Sequence, residues 1–398
     1  MFHVPWFMFC EKMRILFFDH NFLPAGEGEG STSFYLLREY AKNPEFEIDL
    51  VTISTDGQDH LLKMGENVTI HCLAIGKKQV KASNLSVLEM FSYASRAYKF
   101  SLELMAEGNV FEIAHAFTSF PDGLICQLLS RKKKVPYLIS AENQDAGMVG
   151  NPLLKYFVFR VWKNSSFLIV DNQNLRGFLA KVSVAKEIGL LKKGVDLDFF
   201  SPAATKQEAE QFGILCDSQI IPSKGIRFLI QAFKILAGRY ENLQLLIAGE
   251  GSERQSLYDL ARSLEVAERI IFLGELSLEK KLACYQQADV FVLPSQDQQV
   301  DNGFAIRQAL AAGLPVVTTP VFGTQDLVID GFNGFSVRID VADDLVEKIE
   351  QLILDRNLKL AMGKNSLELA QQLSWQNIAQ QYLELYVKTK NISQIQRG

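Results

Sequence analysis

The 398-residue sequence is poor in the residues that mark several protein classes, beginning with five cysteines and five histidines. Cys10, Cys72, Cys126, Cys216 and Cys284 are scattered without paired spacing, which excludes a disulfide framework and a Cys/His metal array and fits a reducing cytoplasm. Positive charge is not in excess either. A formal net charge of −5 gives no basic footprint for nucleic acid. The most basic cluster, Arg131 to Lys134, reads as a solvated helix-to-strand turn, with a weak contact to anionic lipid as the minority alternative. No apolar run approaches the roughly 20 residues that span a bilayer. The opening MFHVPWFMFC is interrupted by Pro5 and lacks a basic flank, so it is too short to span and poor as a signal peptide; Met13, where the strand MRILFF begins, is an equally good start. Low-complexity tracts and repeats of 20 to 50 residues are absent.

What is there is apolar and alternating. Hydrophobic residues make up 48% and charged residues 22%, enough for cores in two α/β domains. Strands are expected at Arg14 to Phe18, Ile48 to Ser54, Phe111 to His115, Tyr137 to Ser140 and Phe167 to Val170. Helices are expected at about Phe34 to Tyr40, Val87 to Met105 and Asp122 to Ser130. From Leu243 to Phe335 one unit recurs, an apolar strand ending in a turn of small residues that opens a helix: LQLLIAGEGSERQSL, ADVFVLPS and ALAAGLPVVTTP. Near-continuous Val, Ile and Leu indicate a parallel sheet buried on both faces. Such sheets bind ligands at their carboxyl ends, here lined by Gly249, Gly251, Pro294, Ser295 and Gly323. A domain boundary is expected between 185 and 215, near Pro202, and a polar helix from Trp375 closes the chain.

The series KKGVDLDFFSP (Lys192 to Pro202), PSKGIRFLIQAFKIL (Pro222 to Leu236), IAGEGSERQSL, IIFLGELS, ADVFVLPS and SWQNIAQQYLELY (Ser374 to Tyr386) resembles the family-four retaining glycosyltransferases, from Met13 onward. The resemblance implies two Rossmann-like domains facing across a cleft, the GT-B arrangement. An acceptor-side domain would span 13–187, a nucleotide-sugar domain 188–374, and a helix with tail, 375–398, would cross back to the first domain. By resemblance, the glycine loop with Gly28 and Gly30 meets phosphate or sugar, although Glu27 and Glu29 interleave with the glycines; a plain flexible connection is the other reading. His115 stands where relatives carry a His near the donor sugar, so it is the candidate catalytic residue. Lys224 matches the phosphate-binding Lys. Gly249, Gly251 and Ser295 line the donor crevice, and Gln308 stands where the family has a ribose-binding Glu, with Val300 or Gln298 at the partner Glu position. The family's Arg is missing: Gln219 occupies that region, and FGILCDSQII leaves only Ile220 and Ile221 where a buried strand is expected, so one central strand reads as lost. Lys193 replaces the usual Asn before Gly194.

These features imply transfer of a sugar from a nucleotide-diphosphate donor to a hydroxyl on a glycan or lipid-linked acceptor, with retention and without a metal or other cofactor. The protein would be cytoplasmic, with peripheral membrane contact as an option. The alternative is a decayed homologue acting as a binding or partner subunit. A dinucleotide oxidoreductase ranks lower, because Gly26, Gly28 and Gly30 alternate rather than follow Gly-x-Gly-x-x-Gly.

Overall fold

The computed structural model describes residues 12–22, 31–76, 85–182, 187–203, 211–296, 303–321 and 323–395. It divides into two compact α/β units, one of residues 1–193 with 375–398, the other of residues 194–374.

The first unit is built on an eight-stranded sheet. In chain order its strands are β1 (Met13–Phe18), β2 (Phe46–Ile53), β3 (His60–Met64), β4 (Val68–Leu73), β5 (Ile113–Ala116), β6 (Tyr137–Ser140), β7 (Phe167–Val170) and β8 (Ile188–Leu190). Their spatial order is β3-β4-β2-β1-β5-β6-β7-β8, parallel except for the edge strand β3. The β3–β4 hairpin was not expected; β3 is exposed on almost every residue and lacks the apolar run that marks buried strands. The chain winds outward from β1 to β4 and returns to β5 on the other side of β1, so the topological switch point lies between β1 and β5. The long helix Val87–Ala106 begins, as its sequence predicts, at a reciprocal capping box between Ser86 and Glu89.

One boundary needs correction. β8 was assigned to the second domain from residue 188, but it pairs with β7, so the first unit runs on to Lys193. The C-terminal helix Trp375–Ile395 returns to the first unit, as the resemblance implies: Trp375 stacks on Tyr35 at 4.7 Å and Tyr40 donates to the Ala379 carbonyl at 2.8 Å. Large aromatic surfaces buried in this way hold the helix more firmly than its polar composition suggests.

The second unit carries a six-stranded, wholly parallel sheet. Its strands are β9 (Phe212–Asp217), β10 (Leu243–Ala248), β11 (Ile270–Gly274), β12 (Val290–Leu293), β13 (Val316–Thr318) and β14 (Gly334–Ser336), ordered β11-β10-β9-β12-β13-β14. This is the doubly wound dinucleotide-fold order, with its switch point between β9 and β12. The strand read as lost is therefore present: FGILCD is the central strand, paired with β10 on one side and β12 on the other. It escaped detection because only Ile214, Leu215 and Cys216 are apolar within it besides the terminal Phe, and Gly213 and Asp217 break the run. The backbone N–H of Gly213 donates to the Asp289 carboxylate at 3.0 Å. The two ends of the unit run side by side, Val195 donating to the Leu373 carbonyl at 2.8 Å.

Candidate functional site

In the second unit, the loops after β9, β10 and β12 press against one another at the carboxyl end of the sheet, and glycine makes this possible. A Cβ on Gly249 would lie 2.0 Å from the Ser218 carbonyl oxygen, and one on Gly251 would lie 2.2 Å from that of Ile220. On Gly225 it would lie 2.1 Å from the Pro294 carbonyl oxygen. Main chain thus forms the wall, leaving backbone N–H groups close to whatever occupies it. The helices that start here, Ile226–Ala237, Arg254–Ser263 and Phe304–Ala311, all lack a side-chain cap, so their N-terminal N–H groups and dipoles favour an anion.

This end of the sheet gathers most of the residues singled out from sequence. Lys224 closes the short 3-10 turn Pro222–Lys224 between β9 and the first of these helices. Gln296, beside Ser295, donates from its backbone to the Ser223 carbonyl at 2.7 Å, tying the loop after β12 to that turn. Ser295 is buried, and its carbonyl accepts from the Thr319 hydroxyl at 2.5 Å. Gln219 follows Ser218 just beyond β9, where the resemblance expects Arg. Asp217 is neutralised inside the fold by the Tyr285 hydroxyl at 2.9 Å and Lys281 at 3.1 Å, so it does not oppose a bound anion as an unpaired carboxylate would. Gln308 sits on the helix Phe304–Ala311 with 1% of its surface exposed, and neither its Oε1 nor its Nε2 has a hydrogen-bond partner among the described residues. A buried amide in that condition costs free energy unless something outside the chain completes its bonds. Gly28 and Gly30, along with Gln298 and Val300, lie outside the described residues.

His115 does not join this group. It lies on β5 of the first unit with no exposed surface, and both ring nitrogens are engaged: Nδ1 with the Tyr386 hydroxyl at 2.7 Å and Nε2 with Ser140 Oγ at 2.9 Å. Phe17, Phe117, Tyr382 and Tyr386 pack around the ring. Burial lowers its pKa to about 3, so it stays neutral and ties the C-terminal helix to the sheet. In this structure the ring's polar partners are Tyr386 and Ser140 rather than an open crevice.

The carboxyl end of β1, by contrast, holds a cluster that sequence reasoning missed. Asp19, His20, Asp122 and Asp145 are all buried there. Asp122 accepts from the His20 backbone N–H at 3.1 Å, from the Thr118 hydroxyl at 2.8 Å, and faces His20 Nδ1 at 2.9 Å. Asp19 accepts from the Ser33 hydroxyl and, at 3.1 Å, from the Asn21 backbone. Asp145 accepts backbone N–H groups of Ser119 and Glu142 at 2.9 and 2.8 Å. Burial, with the nearby Asp122 charge, raises Asp19 to about 6, and burial raises Asp145 to about 7. For His20, burial works downward, but the charge and hydrogen bond of Asp122 outweigh it and the pKa is raised. The available signal was the FFDH junction, where titratable residues follow an apolar strand directly, together with Asp122 opening the next helix. Among the described residues, Asp19, His20 and Asp122 are the one grouping close enough for a metal ion by distance, within 4.8 Å, but the carboxylate of Asp122 is already occupied by three donors of the chain itself.

Residues 200–368 match the family model described as glycosyl transferases group 1. An uncharacterised glycosyltransferase of Methanocaldococcus jannaschii is 24% identical over 82% of this chain and 92% of its own length. A GDP-mannose-dependent alpha-(1-6)-phosphatidylinositol monomannoside mannosyltransferase of Mycobacterium tuberculosis is 26% identical over 61% of this chain and 67% of that protein. Among solved structures, sucrose-phosphate synthase from Thermosynechococcus elongatus superposes with a TM-score of 0.73 at 21% identity, covering 95% of this chain and 99% of the other.

Proposed function

We propose that this chain, which belongs to the glycosyl transferases group 1 family, transfers a sugar from a nucleotide-diphosphate sugar to a hydroxyl of a glycan or lipid-linked acceptor, with retention of configuration. The observation that carries the reading is the carboxyl end of the second unit's sheet. Glycine-walled loops, helix N-termini without side-chain caps and Lys224 form a place for a diphosphate, and the unpartnered amide of Gln308 is suited to ribose hydroxyls. A leaving diphosphate gains negative charge as the glycosidic bond breaks, and fixed N–H dipoles with an ammonium stabilise that charge without reorganising. The dependence on GDP-mannose in the mycobacterial relative's name supports a nucleotide-linked donor.

No helix among the described residues is long and apolar enough to cross a membrane. We assign acceptor delivery to peripheral contact through the helix Pro152–Asn164. Its outer face exposes Leu153 and Tyr156 beside Lys155, Arg160 and Lys163, and the exposed Arg131, Lys132 and Lys133 close the helix Asp122–Lys133 packed against it.

A second reading, a decayed homologue that acts as a binding subunit, rests on Gln219 and Gln308 standing as neutral groups where the family has charges. Titration calorimetry of the folded chain with UDP, GDP and ADP separates the two. Micromolar binding of one nucleotide, followed by release of that nucleotide from its sugar, supports the transferase. Absence of any binding would sink it in favour of the second reading.

A further inference from the structure

We propose that the amino end of the second unit's sheet holds a further ligand site, one that takes an anionic amphiphile: a phosphomonoester on a single alkyl chain. The site lies wholly within that unit and is independent of the transferase reading above.

A cavity of about 980 Å³ opens at this edge, where β9, β10, β12 and β13 begin. The donor loops follow the other ends of the same strands, so the length of β9, roughly 20 Å, separates the two places. None of the residues named for the donor site lines it. Its volume falls at the top of the range of roughly 300 to 1,000 Å³ found for small-molecule pockets.

One wall is the helix Arg356–Gln372. Arg356, Lys359, Leu360, Gly363, Lys364 and Leu367 all line the cavity, and their spacing of three and four places them on one face. A Cβ on Gly363 would lie 2.4 Å from the Gly313 carbonyl oxygen, so the helix is pressed against the turn that leads into β13, and this face is fixed beside the strand starts. Apolar surface is available there. Phe212, Ile353, Leu360 and Leu367 line the cavity without being fully buried, and Leu360 keeps 58% of its exposure. Covering such side chains with an alkyl chain removes apolar area from water.

The charges decide the sign of the ligand. Arg239, Arg356, Lys359 and Lys364 line the cavity, against two carboxylates, Asp289 and Glu241. Asp289 is engaged within the fold, accepting from Lys359 at 2.8 Å and from the Gly213 backbone at 3.0 Å. Arg239 is held by Glu350 at 2.9 Å, which also accepts from the Tyr240 hydroxyl at 3.0 Å. Lys364 is exposed and has no hydrogen-bond or ion-pair partner among the described residues, about two turns along the face from Arg356. Cations in excess over an apolar wall suit a ligand with a negative head and an apolar body. A bare phosphate would leave that wall wet.

The test is calorimetry on the full chain with dodecyl phosphate below its micelle concentration, alongside inorganic phosphate and dodecyltrimethylammonium. Dodecyl phosphate is expected to bind at one site per chain, about 10-fold or more tighter than either companion probe. Lys364→Glu and Leu360→Glu, both at exposed positions, should each weaken it about 10-fold or more, whereas Lys99→Glu on the first unit should not. Melting at the wild-type temperature reports that each variant is folded. Equal affinity for dodecyltrimethylammonium marks a merely apolar surface, and equal affinity for inorganic phosphate marks a free-phosphate site; either overturns the assignment. Binding that survives both cavity variants lies elsewhere and overturns it as well. So does absence of binding, whether solvent or residues 204–210, which join two lining residues and lie outside the described residues, take up the space. Nucleotide titrations on the same samples keep the readings apart: a chain that binds no nucleotide but binds dodecyl phosphate loses the transferase reading and keeps this site.

Discussion

Gln308→Met should make the unliganded protein more stable while removing its response to nucleotide. The side chain is 1% exposed and both amide atoms lack partners among the described residues, so their desolvation is uncompensated there. Each such group costs about 1–3 kcal/mol. Methionine has nearly the same length and volume and no strong polar atom, so it fills the same space with little strain. A net gain of about 1–3 kcal/mol is expected, a rise in the melting temperature of roughly 2 to 12 °C for a unit of this size. Scanning calorimetry, run with and without the nucleotide that binds best, gives both halves of the answer. Nucleotide at 100 times its dissociation constant should add about 2.7 kcal/mol to the wild type, and much less to the variant if the amide holds ribose. Loss of nucleotide response without a gain in stability would mean that the amide is satisfied in the unliganded protein. A variant that melts below the wild type refutes the reasoning outright, since it would make Gln308 an ordinary structural side chain.

Gly251→Ala drives a Cβ to 2.2 Å from the Ile220 carbonyl oxygen, where only backbone can yield; a loss of several kcal/mol, or a displaced loop with weakened nucleotide binding, should appear in denaturant melts and calorimetry. Asp19, raised to about 6, is protonated in the folded state and ionised in the unfolded state between about pH 4 and 6, so its contribution to stability is fully present below that window and is lost as pH rises through it. The shift of about two units corresponds to roughly 3 kcal/mol. His115, held near 3, contributes the opposite slope below its ordinary value, so the check is the difference between wild type and Asp19→Asn, which should fall by about that amount from pH 4 to 6.5 in urea melts; a flat difference refutes it. Lys155→Glu with Arg160→Glu should abolish sedimentation with phosphatidylserine vesicles at low salt while leaving nucleotide affinity unchanged; equal sedimentation would remove the helix Pro152–Asn164 from the membrane proposal.

The strand-and-helix alternation, and with it both parallel sheets, was legible because buried strands must be apolar and turns at their ends must be small. β6 and β7 begin and end at the residues expected, since Tyr137–Ser140 and Phe167–Val170 are uniformly buried runs with polar or proline flanks. Lys224, Gly249, Gly251 and Ser295 fall in one region because each sits at a strand end or just before a helix, and in a parallel sheet all such ends share one edge; Gln308 lies a turn inside the helix Phe304–Ala311. Other features depend on contacts between residues distant in sequence. FGILCD becomes a central strand through its partners β10 and β12, although its own composition is broken by Gly213 and Asp217. β8 joins the first sheet because β7 offers it an edge, and three residues of moderate hydrophobicity cannot announce that choice. The difference between His20 and His115 is likewise tertiary. His115 lies within β5, where the C-terminal helix closes over it with Tyr382 and Tyr386, whereas His20 lies two residues beyond β1, against Asp122. Sequence determines which residues can be buried and where chains turn; packing between distant segments decides which partners each histidine meets, because burial and hydrogen-bond partners are properties of the assembled fold.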